Sequence, residues 1–272
     1  MNNTCDCLDW HQDLGGHAEN IVNNVVQWLC FGLSIANLAY FAWSTFRATC
    51  GWEEVYVCSV ELTKISIEMW HEYSNPFTIY TSTGRWVTWL RYAEWLMTCP
   101  VILIHLSNLS GLTHDYSART MGLLVSDIGT IVLGISAAFA TGPLKAIFFC
   151  FACCYGATTM FHAAKVFYDS HNEVPKGACQ TEVKWLAGLY FFSWNMYPVI
   201  WLLSQEGYQV LTWHEAGILY NIADILAKNI WTLIGHDLRL RIHKFVAAGG
   251  KLNKASAHNT VEADNESKKS SP

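Results

Sequence analysis

The sequence predicts an all-α membrane protein built as a bundle of seven transmembrane helices. Of its 272 residues, 52% are hydrophobic and only 14% are charged, whereas soluble domains contain about 25% charged residues. Apolar segments long enough to cross a bilayer follow one another along the chain. The last of them contains Lys228, and a charged residue at that depth requires a structural or functional reason.

Short polar links with turn-forming residues separate the seven apolar segments. The second segment carries several charged residues, so we expect it to score poorly on hydropathy and include it because of its helical periodicity. The predicted spans are Ile21 to Phe46, Val55 to Tyr73, Trp86 to Leu106, Thr120 to Ala140, Leu144 to Phe167, Val183 to Leu203 and Ala216 to Ile242.

The chain divides into a polar N-terminal segment, residues 1–20, a helical domain, residues 21–248, and a Lys-, Ser- and Asn-rich tail, residues 249–272. The composition of the tail is typical of a disordered segment. Lys and Arg are more numerous in the tail and in the links after spans one, three and five than in the opposite links. The positive-inside rule therefore places the N-terminus outside and the C-terminus in the cytoplasm.

Charge and cysteine usage argue against two classes of function. The net charge is −5, and the sequence has neither a basic stripe nor a nucleotide-binding loop, so we expect no nucleic-acid partner. The cysteines within the apolar segments do not provide two C-x-x-C pairs, so we expect no metal site.

Lys228 has a carboxylate four residues before it. Asp224 and Lys228 share one helix face, about 6 Å apart along the helix axis. One interpretation is a buried ion pair that fixes helix packing. The other is covalent, because a desolvated lysine forms a Schiff base with an aldehyde and a nearby carboxylate keeps that imine protonated.

The second span carries a polar stripe, which we call the α2 stripe. It consists of Glu61, Lys64, Glu68 and Glu72, which recur at steps of three and four residues. In a soluble protein such a face would meet water. In a membrane bundle it faces the interior or an aqueous cavity, and three carboxylates with one lysine favour a pathway for cations.

The third and fourth spans add further charged residues at membrane depth. Arg91 and Glu94 share a face in the third span, and Asp127 lies in the fourth. A salt bridge that joins helices is one interpretation of the third-span pair. Alternatively, Glu94 supplies a second carboxylate that meets Lys228 across the bundle.

Seven spans with Asp224 and Lys228 in the last and Arg91 and Glu94 in the third resemble the microbial rhodopsins over the whole bundle. Four runs of sequence narrow the resemblance to the channelrhodopsins of green algae. They are GWEEVYV at residues 51–57, RYAEWLMTCPVILIHLSN at 91–108, RTMGLLVSD at 119–127 and HAAK at 162–165.

This resemblance implies that Lys228 binds all-trans retinal covalently and that Glu94 and Asp224 are the counterions of its Schiff base. It implies further residues for the retinal pocket, for coupling to gating, for the constrictions of a pore and for a link between two protomers. Trp95, Trp194 and Tyr197 would line retinal, and Cys99 and Asp127 would couple it to gating. A central constriction would be formed by Ser34, Glu61 and Asn229, and a cytoplasmic constriction by Glu53, Glu54, His105 and Arg239. An outer vestibule would be formed by Lys64, Glu68, Glu72 and Arg91. The link between protomers would be formed by Cys5 and Cys7.

The function that follows is a light-gated channel for protons and for monovalent and some divalent cations. Such a channel performs no covalent chemistry on a substrate, so we expect no enzyme. The protein would be a homodimer in the cell membrane, in contact with lipid.

A light-driven proton pump is an alternative, although it usually needs a carboxylic donor eleven residues after Glu94, where this chain has His105. A sensory rhodopsin is a second alternative, but the α2 stripe would have no function in it. An anion channel of the same fold is a third, but it would be expected to lack Glu61 and Glu68, which are both present. A transporter that uses the Asp224 and Lys228 pair as a proton relay would bind no chromophore.

Overall fold

The computed structural model describes residues 16–47, 51–72, 79–80, 86–109, 116–250 and 252. Its helices are α1 His17–Phe46, α2 Trp52–Glu72, α3 Trp89–Ser107, α4 Tyr116–Phe139, α5 Gly142–Glu173, α6 Ala178–Leu203, α7 Trp213–Asp224 and α8 Trp231–Ala247. A π-helix of six residues, Ile225–Ile230, joins α7 to α8. These three stretches form one seventh helix without a break, so the predicted bundle of seven helices is confirmed.

The bounds of several spans differ from the prediction. The third helix begins at Trp89 rather than at Trp86, because Trp86–Val87 forms strand β2, which pairs antiparallel with β1, Ile79–Tyr80. These residues are aromatic and β-branched, the types that favour a strand. The fifth helix continues to Glu173, past the predicted end at Phe167.

Four helices in the described part of the chain are long and apolar enough to cross a membrane by their own composition. They are α1, α4, α5 and α6. The second helix is not among them, as its charged residues led us to expect. A helix with charged residues can still span a bilayer when the bundle shields those residues from lipid.

The helices form a closed ring in which each packs against its neighbours in sequence order, and α7 returns to α1. The packing of α4 on α5 is close because glycine faces an aromatic ring. A Cβ atom at Gly129 would lie 2.6 Å from the ring of Tyr155. Small residues of this kind let membrane helices approach one another.

The interior of the ring has an apolar part and a polar part. Residues of α3, α4, α5 and α6 fill one part with a hydrophobic core that includes Leu103, Leu123, Leu186 and Tyr190. Buried polar and charged side chains of α1, α2, α3 and the seventh helix fill the other part. Lys228 and its two predicted counterions therefore lie where the bundle is least apolar.

Candidate functional site

The π-helix presents Lys228 to the interior of the bundle, where its side chain is 2% exposed. Its Nζ lies 2.6 Å from Oδ1 of Asp224 and 2.7 Å from Oε1 of Glu94. Asp224 and Lys228 are i and i+4 on one helix, whereas Glu94 reaches the lysine from α3. The structure thus brings together the predicted lysine and both predicted counterions. Single π-helical turns inside α-helices are frequent at functional sites.

Asp224 accepts hydrogen bonds from three side chains. Besides Lys228, the hydroxyl of Tyr197 donates to its Oδ1 at 2.7 Å, and Nζ of Lys64 donates to its Oδ2 at 3.1 Å. Nζ of Lys64 also lies 3.3 Å from Oε2 of Glu68. Lys64, which the resemblance assigns to the outer vestibule, contacts the same carboxylate as Lys228. The α2 stripe is therefore bonded to the lysine site.

Glu94 is oriented by its own helix. The Thr98 hydroxyl donates to its Oε1 at 2.9 Å, which holds the carboxylate toward Lys228. Arg91, the other member of the predicted pair, places its guanidinium 3.7 Å from the centre of the Tyr220 ring. A cation over an aromatic face is a favourable contact. The second interpretation of Glu94, as a carboxylate that meets Lys228, agrees with this geometry.

A cavity of about 280 Å³ lies between α3, α4, α5 and α6. All five predicted residues of the retinal pocket and of its coupling to gating line it. They are Trp95, Cys99, Asp127, Trp194 and Tyr197.

The lining of this cavity fits retinal. The rings of Trp95 and Tyr197 are 5.1 Å apart and nearly perpendicular, and Gly134 and Gly156 add no side-chain bulk to the wall. An apolar, aromatic lining with few polar groups is typical of a site for a lipophilic ligand. Lys228 is not part of the lining, and its Nζ contacts Glu94 and Asp224 instead. Tyr197 lines the cavity and donates to Asp224, so the cavity borders the lysine network.

A second polar network crosses from α1 to α2 through the residue next to Lys228. The Asn37 side chain donates to Oδ1 of Asn229 at 2.6 Å, and the Asn229 amide donates to Oε1 of Glu61 at 2.8 Å. Glu61 and Asn229 were predicted to lie together, and they do. Ser34, the third predicted member, is fully buried, and its Oγ has no hydrogen-bond partner among the described atoms.

Asn37 was not predicted, although its position follows a visible pattern. The buried residues of α1 recur at steps of three, four and seven, and most are polar: Asn23, Cys30, Ser34, Asn37, Phe41 and Ser44. A polar stripe at helical spacing in an apolar span indicates the face that points into the bundle. That pattern could have identified Asn37 from the sequence.

We expect Asn37→Ala to lower the thermal midpoint of unfolding, followed by circular dichroism. The substitution leaves Oδ1 of Asn229 buried without its donor, which costs about 1 kcal/mol for an interhelical hydrogen bond in a membrane protein. Thr158→Ala is the matched control, because the exposed Thr158 hydroxyl bonds only to the Cys154 carbonyl of its own helix. An equal fall in both variants would contradict a specific role for Asn37.

Glu53, Glu54, His105 and Arg239 also lie together, and we call them the Glu54 cluster. Nη2 of Arg239 donates to Oε1 of Glu54. Nε2 of His105 lies 4.0 Å from Oε2 of Glu53 and 3.9 Å from Oε2 of Glu54. These residues come from α2, α3 and α8, so the cluster joins three helices at one end of the bundle.

A further polar network lies at the opposite end, where α3 begins. The Tyr92 hydroxyl donates to Oε2 of Glu206 at 2.8 Å and accepts from Nε1 of Trp201 at 2.7 Å. Glu206 is buried in the link between α6 and α7. This network was not predicted, because its members are far apart in the chain and no spacing relates them.

Three predicted residues fall outside what the structure describes. Cys5 and Cys7 lie before residue 16, and the side chain of Glu72 lies outside the described part of α2. Their roles stay predictions.

Comparison with known proteins gives two kinds of match. The family model described as bacteriorhodopsin-like protein matches residues 22–242. The crystal structure of the red light-activated channelrhodopsin Chrimson is 45% identical in sequence and superimposes with a TM-score of 0.86. That match covers 93% of this chain and 88% of Chrimson.

Two curated relatives are more distant. Opsin-1 from Neurospora crassa is 26% identical over 211 residues, which is 74% of this chain and 62% of Opsin-1. The chain therefore spans less than two thirds of the length of that relative. Bacteriorhodopsin from Haloterrigena sp. is 28% identical over 184 residues, which is 65% of this chain and 71% of that protein.

Proposed function

This chain belongs to the bacteriorhodopsin-like protein family, and we propose that within the family it is a light-gated cation channel that carries all-trans retinal covalently on Lys228. It is a multi-pass membrane protein, as the fold and the family require. The similarity to Chrimson, a red light-activated channelrhodopsin, supports a channel rather than another member of the family. When bound, retinal supplies the absorption of visible light and a change of shape next to Lys228.

One observation carries the proposal: the lysine site and the α2 stripe share Asp224. Its Oδ1 accepts from Lys228 and its Oδ2 accepts from Lys64. Any displacement of Lys228 changes the electrostatic interaction between the Asp224 carboxylate and the ammonium group of Lys64. A change at the chromophore is thereby passed to α2 without an intermediate layer of packing.

The second connection passes through the neighbour of Lys228 in the chain. Asn229 donates to Glu61 and accepts from Asn37, so it ties α2 and α1 to the seventh helix. A movement of the π-helix would break or shift both bonds. We propose that this step opens the central constriction and lets water enter between the helices.

Buried carboxylates give the path its preference for cations. Glu61, Glu94 and Asp224 lie at membrane depth, and each is at most 2% exposed. Fixed negative charges lower the energy of a cation and raise the energy of an anion in a narrow path. Protons compete with metal ions, because carboxylates also bind protons.

The remaining predicted residues take their places along this path. Ser34 contributes to the central constriction, and the Glu54 cluster forms the cytoplasmic one. Lys64, Glu68, Glu72 and Arg91 form the outer vestibule, and Lys64 also contacts Asp224. Cys99 and Asp127 line the same cavity as Trp95, Trp194 and Tyr197, which supports their role in coupling retinal to gating.

We further propose the arrangement of the protein in the cell membrane. Residues 1–20 lie outside, residues 21–248 form the channel domain, and residues 249–272 form a cytoplasmic tail. Cys5 and Cys7 link two protomers into a homodimer through disulfides.

Whole-cell voltage clamp with added retinal tests the channel. We expect a light-induced current that reverses sign near the equilibrium potential of the permeant cations and moves with their external concentration. An ion channel passes current down the gradient in either direction, whereas a pump does not. A photocurrent that stays outward at every holding potential would show a proton pump, and the channel proposal would be abandoned.

A further inference from the structure

Three potential metal ligands meet at the end of the bundle where α2 begins and α3 ends. The ligand atoms of Glu53, Glu54 and His105 all lie within 4.8 Å of one another. We propose that these three residues form a binding site for a divalent transition-metal cation such as Zn²⁺, although the spacing of the cysteines predicted no metal site. This inference is independent of channel activity, because binding can be measured in the dark on the purified protein.

An unpaired buried oxygen points to a ligand at this place. The Glu54 side chain is 2% exposed, and Arg239 bonds only its Oε1. The other oxygen, Oε2, is buried and has no hydrogen-bond partner among the described atoms. Burial of a carboxylate oxygen without a partner costs free energy. A cation between Oε2 and the imidazole of His105 would remove that cost.

The distances suit a small metal ion. Zn²⁺ binds imidazole nitrogen and carboxylate oxygen at about 2.0–2.2 Å, so tetrahedral ligand atoms lie somewhat over 3 Å apart. Nε2 of His105 is 4.0 Å and 3.9 Å from the two carboxylate oxygens, which must therefore move by roughly half an ångström to reach this geometry. Glu53 can make this movement, because its side chain is 53% exposed. Its exposed side also admits a water molecule as the fourth ligand.

The ligand types favour a transition metal over Mg²⁺ or Ca²⁺. Imidazole nitrogen is a good ligand for Zn²⁺, whereas Mg²⁺ and Ca²⁺ prefer oxygen alone. The formal charge of the two carboxylates and Arg239 together is −1, which attracts a cation. The positive charge of Arg239 repels a metal ion. Removal of Arg239 should therefore raise the affinity for the metal, whereas removal of a ligand should lower it.

A glycine makes room for one of the ligands. A Cβ atom at Gly51 would lie 1.9 Å from Oε2 of Glu53. Alanine at this position would push the flexible carboxylate away without disturbing packed backbone. Gly51→Ala thus displaces a ligand while all three ligands remain in the chain.

Isothermal titration calorimetry with Zn²⁺ tests the site, on detergent-solubilised protein without a polyhistidine tag and in the presence of excess Mg²⁺. We expect Glu53→Gln, His105→Ala and Gly51→Ala each to weaken Zn²⁺ binding by about tenfold or more. We expect Arg239→Gln to tighten it. His243→Ala is the matched control, because His243 is an exposed histidine of α8 outside the Glu54 cluster, and it should leave binding unchanged.

Two results would overturn the site. Binding that survives His105→Ala would show that the imidazole is not a ligand. Binding that is lost when the exposed thiols of Cys150, Cys153 and Cys154 are replaced by serine would place Zn²⁺ on α5 instead. Circular dichroism of each variant separates a lost site from a lost fold.

Discussion

Lys228→Arg is expected to abolish the visible absorption band that forms when retinal is added to the protein. Arginine keeps a positive charge between Asp224 and Glu94, so the buried carboxylates remain neutralised. Its guanidinium cannot form the imine that a lysine amine forms with an aldehyde. The measurement is the absorption spectrum of purified protein after incubation with all-trans retinal.

The chain offers a closely matched control for this experiment. Lys64 is also a buried lysine, 2% exposed at its side chain, and it bonds the same carboxylate as Lys228. Lys64→Arg should retain a visible band, with its maximum shifted because the charge around Asp224 is rearranged. If Lys64→Arg removed the band and Lys228→Arg kept it, the assignment of the retinal lysine would be reversed. A band in both variants would show that neither lysine is required for the band, and the assignment of the retinal to Lys228 would be abandoned.

The local part of the lysine site could be predicted from the sequence. Asp224 and Lys228 share a helix face because of their spacing, and that geometry does not depend on the rest of the fold. The meeting of Glu94 with Lys228 depends on the rotation of α3. The resemblance to channelrhodopsins supplied that contact, which Arg91 and Glu94 alone left open.

Other contacts depend on how the helices pack, which the spacing of residues in the sequence does not predict. Lys64 belongs to the α2 stripe, but only the rotation of α2 against the seventh helix decides that it reaches Asp224. The bond from Tyr92 to Glu206 likewise joins two distant parts of the chain. The π-helix at residues 225–230 has no sequence signature of its own, since these six residues also suit an ordinary α-helix.

The polar stripe of α1 is a different case, because the sequence contained the signal. Asn37 and Ser34 lie on one helix face with the other buried polar residues of α1. The length and hydropathy of α1 identify it as a membrane span, but neither measure takes account of the helical spacing of its polar residues. The α2 stripe was found by its period, and the same test applied to α1 would have added Asn37 to the central constriction.

Asp224→Asn is expected to cause the largest loss of stability among substitutions at the lysine site. Asparagine has almost the same shape and can still accept from Tyr197, but it does not neutralise a cation. Lys64 and Lys228 would then share Glu94 and Glu68 as their remaining carboxylates. Removal of one partner from a buried ion pair costs about 3–5 kcal/mol in a medium of low polarity, and here Lys64 and Lys228 both lose the carboxylate that they share.

The free energy of unfolding of the retinal-free protein, measured by titration with a denaturing detergent, tests this expectation. Glu68→Gln is the control, because Glu68 also pairs with Lys64 but its side chain is 16% exposed. Water can therefore solvate part of the charge that Glu68 leaves behind. We expect a clearly smaller loss of stability for Glu68→Gln than for Asp224→Asn.

A double substitution distinguishes the contribution of Lys64 from that of Lys228 to the stability that Asp224 provides. Lys64→Met removes one ammonium group and keeps an apolar side chain of similar length, so Asp224→Asn should cost less in that background than in the parent protein. The difference is the coupling free energy between Asp224 and Lys64. If the two effects simply add, Lys64 draws no stability from Asp224. The link from the lysine site to the α2 stripe would then have no energetic basis, and gating through Asp224 would have to be replaced by a route through Asn229 and Glu61.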